Sequence, residues 1–241
     1  MSGSEEFTLD AALRRIAAVR ERIRRAAERA GRDPSAVALV AVSKTVPASA
    51  VLAAAEAGLR VFGESRVQEA SAKVSAVRGA WAGDPLTWRM VGHVQRNKVK
   101  LVLRVFDTVD SVDSVRLLEA IAESAERDGR RVPILLEFNC SGDATKSGFD
   151  PGEWAAVAGR LGRFAAVDLR GLMTIGPLEG GAEAARPAFR KLREIGERMQ
   201  DVLGSALPEL SMGMSDDLEV GVEEGATLVR VGTAIFGSRP A

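Results

Sequence analysis

Residues 36–45 read Ala-Val-Ala-Leu-Val-Ala-Val-Ser-Lys-Thr, an apolar run that ends abruptly on a hydroxyl, a lysine and a second hydroxyl. The apolar part is far too short to span a bilayer, and its valines suit a strand. It does not alternate with polar residues. That is the pattern of a strand covered on both faces, as in a parallel sheet flanked by helices. Further runs of the same kind lie near 60–63, 87–92, 106–111, 132–139, 168–175, 209–213 and 228–232. Helical patterns fill the gaps, among them 48–57, 67–77, 114–127, 152–160 and 183–203.

Strand candidates alternating with helices predict a (β/α)8 barrel of the TIM type. An open doubly wound sheet is the alternative, but no G-x-G-x-x-G opens a helix after the first strand and no P-loop signature is present. Ahead of the barrel, 8–30 reads as an amphipathic helix with Leu9, Leu13, Ile16, Ile23, Ala27 and Ala30 on one face. Thr8 or Asp10 can cap it, Gly31 can end it, and its seven arginines form a solvated face. Ser65 with Gln68 suggests a capping box, Asp150-Pro151 an N-cap followed by an N1 proline, and Ser215 to Asp217 another helix start. The expected organisation is one domain over 1–241, with the helix at 8–30 and the barrel at 36–237.

Composition narrows the function classes. The 241 residues are 46% apolar and 27% charged, enough for one sizeable core. Lys plus Arg and Asp plus Glu both total 33, and this zero balance argues against binding nucleic acid or an anionic membrane through bulk charge. A single cysteine, Cys140, excludes an internal disulfide, and a single histidine, His93, excludes His-His metal sites. No metal site is expected. The acidic start MSGSEEF is not a signal peptide, so a cytoplasmic location is expected.

In a parallel barrel the chemistry sits where strands end and helices begin. The polar residues at those ends are Ser43-Lys44-Thr45, Glu64-Ser65, His93, Ser111, Asn139, Thr174, Ser211, and Arg230 with Thr233. Lys44 is the sharpest. Desolvated at a barrel mouth, its amine becomes a nucleophile able to form a Schiff base with an aldehyde. The alternative is a snorkelling lysine paired with a carboxylate such as Glu64. The last two strand exits, ELSMGMSDD and LVRVGTAIFG, lie where barrels often bind phosphate: Ser211 offers a hydroxyl, Gly213 a close backbone approach, and Gly232-Thr233 opens a short segment. An inward Arg230 needs a carboxylate or a ligand acceptor. His93 reads first as a structural hydrogen bonder, Asn139 equally as a turn residue, and Met173 first as core and second as the floor of a flat ligand's pocket.

Taken together, AVSKTVP (41–47), FGESRVQEA (62–70), WRMVGHVQRNK (88–98), KSGF (146–149), LRGLMTI (169–175), LSMGMSDD (210–217) and VRVGTAIFG (229–237) resemble the pyridoxal phosphate homeostasis proteins, which share the barrel of the alanine racemase N-terminal domain. The resemblance covers nearly the whole chain. It implies a fold-type III barrel in which Lys44 carries pyridoxal 5′-phosphate as a Schiff base. It assigns phosphate binding to Ser211, Gly232 and Thr233, an arginine facing the pyridine nitrogen to Arg230, and a methionine near the ring to Met173. Ser65 stands where the family has asparagine. The G-H-x-Q-x-N-K segment, His93 included, carries no assigned role.

Two functions follow from the resemblance: a carrier that buffers pyridoxal phosphate or delivers it to apoenzymes, or a weak amino-acid racemase. Alanine racemases pair their lysine with a tyrosine, and the sequence has no tyrosine. A second β-domain is not expected after the eighth strand either, so robust catalysis is not expected and a monomer is. A plain sugar-phosphate barrel is a third possibility.

Overall fold

The computed structural model describes residues 7–143, 145–177 and 179–237; the acidic start at 1–6 lies outside them. After helix α1 (Leu9–Arg29), strands β1 (Ala38–Val42), β2 (Val61–Glu64), β3 (Thr87–Met90), β4 (Thr108–Val112), β5 (Val132–Glu137), β6 (Val167–Met173), β7 (Glu209–Ser211) and β8 (Leu228–Val231) alternate with helices. These are α2 (Ala48–Glu56), α3 (Val67–Ala80), α4 (Val99–Val105), α5 (Val115–Arg127), α6 (Trp154–Leu161), α7 (Arg186–Leu203), α8 (Leu218–Glu223) and α9 (Thr233–Phe236). The strands pair in chain order, all parallel, and β8 closes on β1 with Ala41 opposite Val231. The expected (β/α)8 barrel with an additional N-terminal helix is therefore the observed fold.

The apolar runs explain the closure. Alternate residues of each strand point inward and outward. Val40, Leu135, Met173 and Leu228 meet inside the barrel, while Leu39, Ala41, Phe62 and Trp88 belong to the larger core under the helices. Phe62 and Trp88 are fully buried with ring centroids 5.4 Å apart. Burying a side chain of this size contributes roughly 1.5–3 kcal/mol.

Several local expectations need correction. The buried stripe of α1 is Ala12, Ile16, Val19, Ile23, Ala26 and Ala27, whereas Leu9 and Leu13 are 40% and 48% exposed. Alanines face the barrel because α1 lies directly on its neighbours, and small side chains permit that approach. Nor is its arginine face simply solvated. Arg22 holds Glu219 and the Ser215 carbonyl, and Arg15 donates to the Ile235 carbonyl. Thr8 caps α1, and Asp150 with Glu153 forms a capping box around Pro151. Ser65 caps nothing: α3 starts after Arg66 without a side-chain cap, and the Ser65 backbone lies against Gly92. Asp217 turns its carboxylate back to the Met214 N–H instead of into α8.

Inside the barrel lies a charged layer that the sequence reading does not anticipate. Arg89 bonds Asp110 at 2.7 Å and Glu209 at 2.5 Å, with Thr108 donating to Asp110. Asp110 is wholly buried.

Candidate functional site

Lys44 follows β1 at the carboxyl end of the barrel. The Val46 N–H closes a turn on the Ser43 carbonyl at 3.0 Å, so Lys44 and Thr45 are its two central residues. Lys44 is consequently exposed at the mouth. As a residue it is therefore more open than the desolvated lysine that the sequence reading expected, because a turn apex stands above the strand ends. Glu64, the carboxylate suggested as its partner, is engaged elsewhere: its Oε1 accepts from the Ser43 hydroxyl at 2.6 Å and from Lys73 at 2.8 Å.

Thr45 has φ +64°, the one non-glycine residue in the left-handed region among those described. For a β-branched residue this costs about 1–3 kcal/mol and persists only where surroundings enforce it. Here the Thr45 N–H donates to Glu69 at 2.6 Å, and Lys73 bonds the Ser43 carbonyl at 2.7 Å and Glu69 at 3.2 Å. Burial works against ionisation of Glu69, but the Thr45 N–H and Lys73 outweigh it and hold the carboxyl below its usual value.

Across the β1–β8 seam lies the second part of the site. A Cβ on Gly232 would stand 3.2 Å from the Val42 carbonyl, which places the start of α9 against the exit of β1. The Thr233 hydroxyl donates to Ser215 at 3.0 Å. Gly213, at φ +90°, turns the chain between Ser211 and Ser215. Through Arg15 and Arg22, α1 braces both sides of this hydroxyl pair. Ser211, the serine expected at the phosphate, is fully buried, and its hydroxyl accepts from Arg230 at 2.8 Å. The serine that shares the rim with Thr233 is Ser215, four residues on, which sequence reasoning treated only as a helix start.

Beneath the rim, Arg230 is buried and bonds both Ser211 and the Thr174 carbonyl, the latter at 2.8 Å. Desolvation pulls it below the ordinary guanidinium value, against the carboxylates of Glu137, Asp110 and Asp217. Met173 is fully buried in the barrel interior. Glu137, which no sequence motif singled out, ends β5 and is 5% exposed.

Burial pushes the Glu137 carboxyl from 4.5 up to about 7; Arg230 and His93 oppose the rise and Asp113 adds to it. Its value in the folded protein lies above that of the unfolded chain. Stability from this group is therefore complete below about pH 4.5 and lost as pH rises through about 7. The difference is roughly 3 kcal/mol. Glu137→Gln is expected to remove that decline, read as urea midpoints between about pH 5 and pH 8. Parallel pH curves for the variant and the parent would count against a raised Glu137.

The remaining sequence candidates have other partners. Ser65 and His93 line a cavity of about 200 Å³ with Gln95 and Lys98, between the ends of β2 and β3, and neither Lys44 nor Arg230 lines it. His93 Nδ1 pairs with Asp113 at 2.7 Å. Asn139 ties its own loop, donating to the carbonyls of Asp143 and Lys146. Among the described residues no group of three His, Cys, Asp or Glu side chains is placed to hold a metal ion, and no helix is long and apolar enough to cross a membrane.

Comparison with known proteins fits this geometry. Residues 15–240 match the family model described as the N-terminal domain of alanine racemase. A pyridoxal phosphate homeostasis protein of Pseudomonas aeruginosa is 44% identical over 224 residues, 93% of this chain and 94% of that one. Its counterpart in Aquifex aeolicus is 40% identical over 95% of this chain and 98% of its own. Among solved structures, PipY of Synechococcus elongatus with pyridoxal phosphate bound superposes with a TM-score of 0.81 at 36% identity, covering 94% of this chain and all of that one. Alanine racemases, such as that of Streptomyces lavendulae at 21% identity and a TM-score of 0.69 over 98% of this chain and 59% of that one, share the barrel alone.

Proposed function

Because the chain belongs to the pyridoxal phosphate homeostasis protein family, built on the alanine racemase N-terminal-domain barrel, we propose that it binds pyridoxal 5′-phosphate through Lys44 and keeps the cofactor available in the cytoplasm. The observation that carries this reading is the seam between β1 and β8. It brings the exit of β1, two residues before Lys44, against Gly232 at the start of α9, where the Thr233 hydroxyl donates to Ser215. An amine to take an aldehyde, with small backbone and hydroxyl donors for a phosphate, is the donor set that pyridoxal phosphate requires.

When bound, the cofactor supplies an aldehyde for Schiff-base formation and an electron-accepting ring. The chain's own groups do the rest. Lys44 presents the amine, while Gly232, Thr233 and Ser215 would receive the phosphate above Ser211, the serine expected there. Arg230, fixed by Ser211 and Thr174, offers a cation below the rim, and Met173 lies in the barrel floor. A guanidinium disfavours protonation of a ring nitrogen facing it, which weakens the ring as an electron sink. That suits holding and release better than carbanion chemistry. The exposed position of Lys44 gives the aldehyde a route in and out. Transfer to apoenzymes and a monomeric state complete the proposal.

The test is a spectral titration of the purified protein with pyridoxal phosphate and, separately, with pyridoxal. A visible band that borohydride fixes to the protein, stronger for the phosphorylated compound, supports the function. Absence of a band, or equal response to both compounds, overturns it.

A further inference from the structure

We propose that Glu69 and Lys73 of α3 are positioning residues for Lys44, an inference that rests on Lys44 being the aldehyde acceptor. The turn at 43–46 is gripped on both sides of Lys44. On one side the Ser43 carbonyl receives Lys73 and the Ser43 hydroxyl donates to Glu64. On the other, the Thr45 N–H points into Glu69. Lys73 links the two grips by bonding both carboxylates, and it is itself buried, with 7% of its side chain exposed. A buried ion pair whose charged atoms touch the backbone flanking Lys44 does more than stabilise a helix.

The Thr45 conformation shows what the grip accomplishes. Two common turns differ by a flip of their central peptide, here the one joining Lys44 to Thr45. The turn with negative φ at its third residue suits threonine, and the observed turn does not. In the flipped turn the Thr45 N–H would face away from Glu69. Glu69 therefore selects the strained turn, and Lys73 holds Glu69 in place. Strain kept at one residue next to the key amine is the pattern of a preorganised site. Without the grip, Lys44 must be ordered when it binds, and affinity falls by roughly tenfold for a side chain and turn of this size.

The experiment compares Glu69→Ala and Glu69→Gln in the full chain. Glutamine retains an oxygen that accepts from the Thr45 N–H, and alanine does not. Two quantities are read: hydrogen exchange of the Thr45 amide without added cofactor, and the dissociation constant for pyridoxal phosphate from its visible band. The expected result for Glu69→Ala is Thr45 exchange at least about tenfold faster and binding roughly tenfold weaker, with Glu69→Gln close to the parent. A melting temperature close to the parent's is expected, since the Glu69 side chain is partly exposed. Lys73→Met is the second variant, and its Thr45 amide is expected to lose protection as well. If the parent shows no band, or Lys44→Ala keeps it, the functional reading fails. If Lys44→Ala loses the band while Glu69→Ala leaves amide exchange and affinity unchanged, the positioning proposal fails alone.

Discussion

Lys44→Ala is expected to abolish the visible band formed with pyridoxal phosphate and to leave no borohydride-stable adduct on the peptide containing residue 44. The expected loss is complete, because it removes a covalent bond and not one contact among several. Two other lysines are held by defined partners. Lys73 is held by the Ser43 carbonyl, Glu64 and Glu69, and the Lys146 ammonium donates to the Gly176 carbonyl. The proposed phosphate donors at Ser215, Gly232 and Thr233 remain in the variant. Weak, colourless binding is therefore expected to persist and to compete with inorganic phosphate. Lys44→Arg preserves the charge and is expected to behave like the alanine variant in the spectrum. A band of full strength in either variant, with the adduct mapped to another lysine, would refute the assignment.

How far the sequence discloses this site depends on whether a residue acts within its own strand or across the barrel. The run at 36–42 is legible as a strand because both of its faces are apolar, and Val40 inside with Leu39 and Ala41 outside explains why. Lys44 is legible for the same reason, since a lysine directly after such a run must lie at a mouth. Its exposure is not, because that depends on a left-handed threonine held by a glutamate 24 residues away. The choice between Ser211 and Ser215 is equally closed to sequence reasoning. Both lie in one motif, and only the fold sends one hydroxyl inward to Arg230 and the other to Thr233. The face of α1 is read correctly at Ile16, Ile23 and Ala27 but not at Leu9 and Leu13, because leucines mark a buried stripe by hydrophobicity, whereas the close approach of this helix favours alanines such as Ala12 and Ala26. Glu137 carries no motif at all; its carboxyl is pushed up because the barrel buries it, against the opposing pull of Arg230.

The interior layer of Arg89, Asp110 and Glu209 belongs to the same class and sets the second large effect. Arg89→Met is expected to destabilise the fold by about 3–5 kcal/mol, read as a shift in the urea midpoint. The cause is not the attraction lost, since burying the ions offsets much of that. It is the Asp110 carboxylate left behind, fully buried with the Thr108 hydroxyl as its remaining hydrogen-bond donor. Glu209 suffers less, being partly exposed and 4.0 Å from Arg170. This origin makes a further demand. Removing both charges, as in Arg89→Met with Asp110→Leu, is expected to recover much of the loss, because no stranded ion remains. The double-mutant cycle should therefore show strong coupling between the two positions. Additive losses would mean that Arg89 acts through packing instead. Asp110 is also among the carboxylates that support the charge of Arg230. The double variant thus leaves Arg230 with Glu137 and Asp217, and its titration with pyridoxal phosphate reports whether the buried layer tunes the guanidinium beneath the rim or only holds the barrel closed.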